Sequence, residues 1–228
     1  MKLDDAITLF QNGEIEESQT LISKLLDTSD ISSEEYLELK LLQSELLYLK
    51  ENYLASLNEL DLLLAIPKLS EFDIIKMKAI LAKSEILYHL SKVNESFMLF
   101  QEVELSFEQI NQNFGEKSRL LQIRLWRVKG VFLQFYGKHD EAEEAYVTSQ
   151  NLAQDIGYGF ELSLTLNLLG LFNLNNGRID VSKRFLDKSH QLREELKNEY
   201  LLVRSYNSLG TFYQVKGDLD SALENFEN

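Results

Sequence analysis

The chain has 228 residues, of which 44% are hydrophobic, a net charge of −14 and no cysteine. The lack of cysteine excludes disulfide cross-links and thiol chemistry, and no apolar run approaches the roughly 20 residues of a membrane-spanning helix. Acidic residues follow the first methionine at Asp4 and Asp5, too early for a secretory signal. We therefore expect a soluble, cytoplasmic protein with no membrane partner.

Charge is unevenly distributed along the chain. Residues 1–110 contain 21 acidic residues and 9 lysines, whereas residues 111–228 contain 16 acidic and 14 basic residues, with all seven arginines between Arg119 and Arg204. Phosphate contacts need a basic face, so we expect no nucleic-acid partner. The half that contains the arginines is suited to an acidic segment of a partner protein.

Apolar residues recur at three- and four-residue steps along the whole chain, which predicts helices throughout. Ser32-x-x-Glu35 and Ser70-x-x-Asp73 have the pattern of helix-capping boxes, and Pro67 ends a helix and starts a connection. We predict twelve helices, at residues 2–11, 15–27, 33–50, 52–65, 70–90, 93–113, 117–136, 139–155, 160–176, 179–197, 199–216 and 219–228.

A small residue recurs in every second predicted helix, four residues before a larger apolar one. The steps between these small residues are 38, 40, 46, 40 and 40 residues. They stand at Ser18, Ser56, Ser96, Ala142, Ser182 and Ala222. We expect the two helices of a hairpin to cross at these positions. The longer step predicts an extended helix or loop around Phe107–Lys117, with Gly115 as its break.

Three sets of identical residues, each repeated at a 40-residue step and called ladders here, lie in the C-terminal half. We expect the glycines of the first ladder to let a neighbouring helix approach, and the glycines of the second to end a helix in the left-handed conformation. The third predicts acids that complement the dipole at a helix start. Such repetition is typical of stacked supersecondary units. The ladders are Gly130, Gly170 and Gly210; Gly137, Gly177 and Gly217; and Asp140, Asp180 and Asp220.

The last unit, Tyr206-x2-Leu209-Gly210-x2-Tyr213 with Ala222-x3-Phe226, resembles the tetratricopeptide repeat (TPR). The only tryptophan, Trp126, falls on the tryptophan position of that pattern. The resemblance implies an all-α fold, a right-handed superhelical solenoid of about six helical hairpins forming one domain over residues 1–228. The implied repeats are 1–32, 33–69, 70–116, 117–158, 159–198 and 199–228.

The last repeat is expected to be truncated, with further sequence after it, because its second helix is shorter than the equivalent helices before it. A repeat array needs a polar cap over its terminal core. Leu219, Leu223 and Phe226 then form an exposed apolar face, for which we expect self-association through this repeat.

The resemblance also implies a concave groove lined by the first helix of each repeat. The candidate groove residues are Arg124, Arg127, Gln134, Asn167, Arg204, Asn207 and Gln214. Asparagine amides can hold a peptide backbone, and arginines can pair with acidic side chains or with a C-terminal carboxylate. The alternative is a solvated polar helix face without a ligand. In the N-terminal repeats the equivalent positions include Leu41 and Leu81, for which the alternatives are binding of a basic-apolar segment and an inner core, with the inner core slightly favoured.

The sequence offers no pattern for catalysis. Gly157-Tyr158-Gly159 lacks the lysine of a phosphate loop, and no histidine has a second ligand at helical spacing. We therefore expect neither an enzyme nor a cofactor. The leading hypothesis is a protein–protein interaction scaffold that binds a peptide segment in the groove. The alternative is a peptide-sensing regulatory domain of a larger signalling or transcription-regulating protein.

Overall fold

The computed structural model describes residues 2–28, 32–110 and 116–228. Over these ranges the protein is all-α, as predicted, with twelve α-helices, one short 3-10 helix and no strand. The α-helices are α1 Leu3–Gln11, α2 Ile15–Leu26, α3 Ser33–Leu49, α4 Tyr53–Leu64, α5 Asp73–His89, α6 Val93–Ile110, α7 Glu116–Phe135, α8 His139–Asp155, α9 Gly159–Asn175, α10 Ile179–Glu195, α11 Glu199–Lys216 and α12 Leu219–Glu227.

The two predicted capping boxes have different outcomes. Ser32 caps α3 as expected: its hydroxyl accepts a hydrogen bond from the Glu35 backbone N–H at 3.2 Å, and its own N–H donates to the Glu35 carboxylate at 3.0 Å. The hydrogen bonds from the backbone and then the side chain of Ser32 lower the pKa of Glu35.

The helix start predicted at Ser70 is wrong. The 3-10 helix Pro67–Glu71 precedes α5, and the Ser70 hydroxyl donates to the Pro67 carbonyl within it at 2.8 Å. That internal bond occupies the hydroxyl, so α5 begins at Asp73 without a side-chain cap. The break predicted at Gly115 lies outside the described residues.

The chain divides into two compact units, Met1–Leu121 and Gln122–Asn228, and the boundary falls in the first part of α7. In the first unit, helices pack in consecutive pairs, α1 with α2, α3 with α4 and α5 with α6. In the second unit, α9 packs against α8 and α10, and α11 packs against α10 and α12. Each unit therefore repeats a hairpin of neighbouring helices around its own apolar core.

In the first unit the predicted small residues form a hydrogen-bonded contact between the two helices of each hairpin. The hydroxyls of Ser18, Ser56 and Ser96 donate to backbone carbonyls twelve residues earlier, at 2.8, 2.6 and 2.6 Å. All three side chains are fully buried. The acceptors belong to Ala6, Ser44 and Ser84.

In the second unit glycines occupy the same crossing. A Cβ atom added at Gly170 would lie 2.5 Å from Leu186 Cδ2 and 3.3 Å from the Leu186 backbone nitrogen. A Cβ atom only 2.5 Å from Leu186 Cδ2 would displace the Leu186 side chain. Gly130 and Gly210 face the rings of Tyr146 and Phe226 in the same way. The prediction that this ladder permits a close approach of helices is confirmed.

The second glycine ladder has the left-handed conformation that was predicted, with φ of 74°, 72° and 83° at Gly137, Gly177 and Gly217. In the first unit the equivalent helix ends use Glu51 and Ser91, at φ of 58° and 61°. A residue with a side chain is strained there by roughly 1–2 kcal/mol. The same backbone shape is thus kept at positions where the glycine is lost.

Enlarging Gly170 tests the assigned helix crossing. We expect Gly170→Leu to lower the unfolding free energy by at least about 3 kcal/mol, the upper end of overpacking effects, because Leu186 and its backbone lie against the site. Gly157→Leu is the control. Gly157 has open space around it and φ of 67°, and Lys197 adopts a similar conformation at the next connection. We therefore expect Gly157→Leu to lower the unfolding free energy by about 1 kcal/mol. Equal urea midpoints for the two variants would contradict the crossing.

Candidate functional site

The seven candidate groove residues all lie on first helices of hairpins in the second unit. Asn207 and Gln214 are exposed on α11, and Arg127 is buried on α7. The other four are half-buried: Arg124 and Gln134 on α7, Asn167 on α9 and Arg204 on α11. These helices are held in place by the large apolar residues on their other faces, such as Leu166, Leu169 and Phe172 of α9.

Arg127 is paired within the chain. Its Nε donates to Glu161 Oε2 at 2.9 Å, linking α7 to α9, and the two side chains are only 9% and 10% exposed. The buried charge is therefore already neutralised. Sequence reasoning missed Glu161, although an acid in the first turn of the otherwise apolar α9 is a signal for such a pair.

Gln134 also has a contact within the chain. Its Oε1 accepts a hydrogen bond from the hydroxyl of Tyr146 at 3.0 Å. The Tyr146 side chain is fully buried against the helix crossing at Gly130, so Gln134 satisfies the one polar atom of that ring. The amide nitrogen of Gln134 is left for other contacts on the half-buried surface of α7.

Arg193 on α10 contacts one of the candidate residues, Asn167, and was not itself predicted from the sequence. Its side chain is 1% exposed. Its Nη1 donates to the Leu201 carbonyl at 3.0 Å and lies 3.5 Å from Asn167 Oδ1, and its Nη2 lies 3.5 Å from the Ser163 carbonyl. Burial lowers the pKa of Arg193 to about 9, and the positive charge of Arg204 is the second, smaller cause. The Arg193 side chain is therefore charged at neutral pH.

Several of the equivalent positions in the first unit are buried. Leu41 and Leu81 are 5% and 0% exposed, and Glu85 of α5 is 7% exposed. Glu38 and Lys78 approach one another at 3.9 Å. The burial of these residues favours the core interpretation for the first unit, although Glu38 and Lys78 stay partly exposed.

Two other kinds of site are absent from the parts of the chain that the structure describes. There, no group of three or more histidine, aspartate or glutamate side chains is arranged to hold a metal ion. Among the same residues no helix is both long and apolar enough to cross a membrane.

Comparisons with solved structures agree with the repeat fold. The protein is similar to BtubC (BKLC) from P. vanneervenii, with 12% identity, a TM-score of 0.56, and coverage of 96% of this chain and 88% of that one. A Rap protein complexed with Competence and Sporulation Factor has 13% identity and a TM-score of 0.66, with 99% and 73% coverage. Nearly identical TPR-like repeats from Podosopora anserina have 15% identity and a TM-score of 0.51, with 84% and 91% coverage.

These similarities show that the protein has a TPR-like helical repeat fold, as the sequence predicted. No protein-family model matches the chain, and no curated protein sequence matches it. At 12–15% identity the likeness concerns the fold, so the function has to be argued from this chain's own residues.

The Arg127–Glu161 pair gives a prediction about stability. We expect Arg127→Met to lower the unfolding free energy by about 3–5 kcal/mol, because Glu161 is then left buried without its partner. Arg127→Met combined with Glu161→Leu should recover most of the loss, as measured by urea unfolding. Arg178→Met, which breaks the exposed pair with Glu143, should cost less than about 1 kcal/mol. Equal losses of unfolding free energy in Arg127→Met and Arg178→Met would show that burial of the ion pair does not determine the size of the loss.

Proposed function

We propose that the second unit is a protein-binding module. It binds a peptide segment of a partner on one face of α7, α9 and α11, which are the first helices of its hairpins. The observation that carries the proposal is the contrast between the units. Asn167 and Asn207 stand one 40-residue step apart and are half-buried and exposed, whereas Leu41 and Leu81 of the first unit are buried. An amide offers a donor and an acceptor, which suits the backbone of an extended peptide.

The charges of this face favour an acidic segment or a C-terminal carboxylate as the ligand. Arg124 and Arg204 are half-buried on α7 and α11, in a chain whose net charge is −14. A local positive charge within a negative surface concentrates anions at one place. Because part of the attraction is exposed to solvent, the affinity should fall with added salt.

The fold comparisons support binding of a partner molecule. The similar Rap protein was solved in a complex with Competence and Sporulation Factor, and this chain covers 73% of it. That similarity also favours a second candidate function, a peptide-sensing regulatory domain of a larger signalling or transcription-regulating protein. Both candidate functions use the same face, and neither involves catalysis or a cofactor. We propose that the protein acts in the cytoplasm.

A second contact surface is proposed on α12. Leu219, Leu223 and Phe226 are 68%, 58% and 46% exposed, and they give this short helix an apolar side. Exposed apolar groups of this kind favour association. We propose that this side of α12 contacts a second copy of the chain when no other partner covers it.

The peptide-binding face is tested by Arg204→Ala combined with Asn207→Ala. A pull-down with the wild-type protein, followed by mass spectrometry, identifies the partner, and calorimetry then measures its affinity. We expect the double variant to bind at least about tenfold more weakly, because hydrogen bonds to charged groups are worth about 1.5–3 kcal/mol. The melting temperature should stay within about 2 °C, since neither side chain is in the core.

The matched control is Asn151→Ala with Arg184→Ala, which removes the same two residue types from exposed positions of α8 and α10. It should bind as the wild type does. Unchanged partner affinity in the Arg204 and Asn207 double variant would show that the partner uses another surface.

Self-association is tested by sedimentation equilibrium. We expect concentration-dependent dimers of the wild-type protein and a monomer for Leu223→Lys, because a charge in an apolar contact is costly to bury. Leu54→Lys places the same charge at a 72% exposed leucine of the first unit and should leave the dimer intact. A wild-type protein that is monomeric at every concentration would rule out the α12 contact.

A further inference from the structure

The outer side of α6, in the first unit, carries two large apolar side chains that do not belong to the core. Met98 and Leu105 are 61% and 60% exposed. They are seven residues apart, so they lie two turns apart on the same side of the helix. The buried residues Phe100, Val103 and Phe107 lie on the opposite side and hold α6 in place. The fold itself therefore does not require Met98 and Leu105 to be apolar.

The equivalent positions of the other hairpins do not carry such a pair. Met98 is two positions and Leu105 nine positions after Ser96, the small residue at the helix crossing. Counted from the equivalent small residues, the first position is occupied by Thr20, Asn58, Glu144 and Arg184, and the second by Asp27, Ala65, Asn151 and Gln191, all of them exposed. Single exposed apolar residues are ordinary on a protein surface. A pair found at these positions in one repeat alone marks a contact surface of that repeat.

Carboxylates border the two apolar side chains. Glu95, Glu102 and Glu108 are exposed, and each is three or four residues from Met98 or Leu105, the spacing of neighbours on a helix surface. The helix has no lysine or arginine, and none of the three carboxylates forms an ion pair with a described residue. The outer side of α6 is therefore both apolar and negatively charged.

We propose that this outer side of α6, called the α6 face below and formed by Glu95, Met98, Glu102, Leu105 and Glu108, binds a basic amphipathic helix of a partner protein. Apolar residues at a seven-residue step match the line along which two helices pack side by side. Carboxylates on both sides of that line favour lysine or arginine at the edges of the incoming helix. The α6 face lies in the first unit, so the proposal is independent of the peptide-binding face of the second unit.

Charge argues against a second copy of the chain as the ligand. The other helix with an exposed apolar side, α12, has acidic residues at Asp220, Glu224 and Glu227 and no basic residue. Its approach to α6 would bring like charges together, which is unfavourable at an interface. The ligand that complements the α6 face is a segment of a different protein, with apolar residues on one side and lysine or arginine next to them.

Binding is tested by calorimetry with a synthetic helical peptide of leucine and lysine, as long as α6 at 18 residues, with its leucines on one side. Leu223→Lys is present throughout, so that the α12 surface does not contribute. The comparison peptides have the same residues in scrambled order, or glutamate in place of lysine. We expect the first peptide to bind at least about tenfold more tightly than either, because it alone matches both the apolar line and the charge. Equal binding of the scrambled peptide would reduce the effect to net charge and overturn the proposal.

Methionine methyl NMR shows where the peptide binds. The chain has three methionines, of which Met77 is buried on α5 and Met98 lies in the α6 face. We expect the Met98 methyl resonance to shift as the peptide is added and the Met77 resonance to stay in place. A Met98 resonance that does not move while the peptide is bound would overturn the proposal.

The apolar part of the contact is tested by Met98→Ser combined with Leu105→Ser. We expect the peptide to bind at least about tenfold more weakly, because these side chains lose their burial against it. The matched control is Leu54→Ser with Leu62→Ser, which removes two exposed leucines from α4 of the same unit. The control should bind as tightly as before. Equal weakening by the two double variants contradicts a contact at α6.

The charged part is tested by changing the three carboxylates of the α6 face to glutamine together, as Glu95→Gln, Glu102→Gln and Glu108→Gln. We expect about tenfold weaker binding and a smaller dependence of the affinity on salt, because screening acts on charges that are then absent. The control neutralises three exposed acids elsewhere in the first unit, at Glu17, Asp27 and Glu71. If the control loses as much affinity as the α6 variant, attraction to the net charge explains the binding and the proposal is wrong.

Discussion

The close crossing of the two helices in each hairpin is the constraint on which the rest of the structure depends. Two chemistries make the same crossing. In the first unit a buried serine hydroxyl donates to a backbone carbonyl of the facing helix, as Ser56 does to Ser44. In the second unit a glycine lets a large side chain lie directly on the helix backbone, as Leu186 does on Gly170. The serine adds a net hydrogen bond of about 1 kcal/mol, whereas the glycine costs about as much in helix propensity and permits denser packing.

Because the crossing occupies one side of each first helix, the other side is free to vary between repeats. The first unit uses that freedom for apolar burial, with Leu41 and Leu81 in its core. The second unit keeps amides there, with Asn167 half-buried and Asn207 exposed. The same hairpin thus supports buried leucines at these positions in one unit and amides in the other, while the helix crossing is kept in both.

Features with a fixed local cause were predictable from the sequence. The 40-residue ladders predicted the helix ends and the left-handed glycines, since a conformation such as that of Gly177 is a property of a few residues. The ladder failed to predict that Ser91 adopts the same conformation, because only glycine marks it in the sequence. Ser70 was misassigned for a similar reason. Pro67 begins a 3-10 helix in which the Ser70 hydroxyl donates to the Pro67 carbonyl, and this hydroxyl therefore does not cap α5.

The candidate site was predictable only in part, because burial of a charged side chain depends on distant segments. Arg127 has the spacing of a surface residue, and only the packing of α7 on α9 shows that Glu161 neutralises it. Arg193 is followed by Glu194 and Glu195 and has the local sequence of a solvated helix end. Its burial comes from α11, whose Leu201 carbonyl it contacts. The acid in the first turn of α9 is a signal for a pair, but the burial of Arg127 and Arg193 follows only from the packing of other helices.

Buried charge differs between successive repeats of the second unit at two equivalent positions. Glu161 and Leu201 occupy equivalent places, and both lie at the start of a first helix away from the hairpin crossing. Arg127 and Glu161 form a buried ion pair, whereas one 40-residue step later Asn167 and Leu201 stand at the same two positions. The fold tolerates the loss of this ion pair because each hairpin is stabilised by its own helix contact.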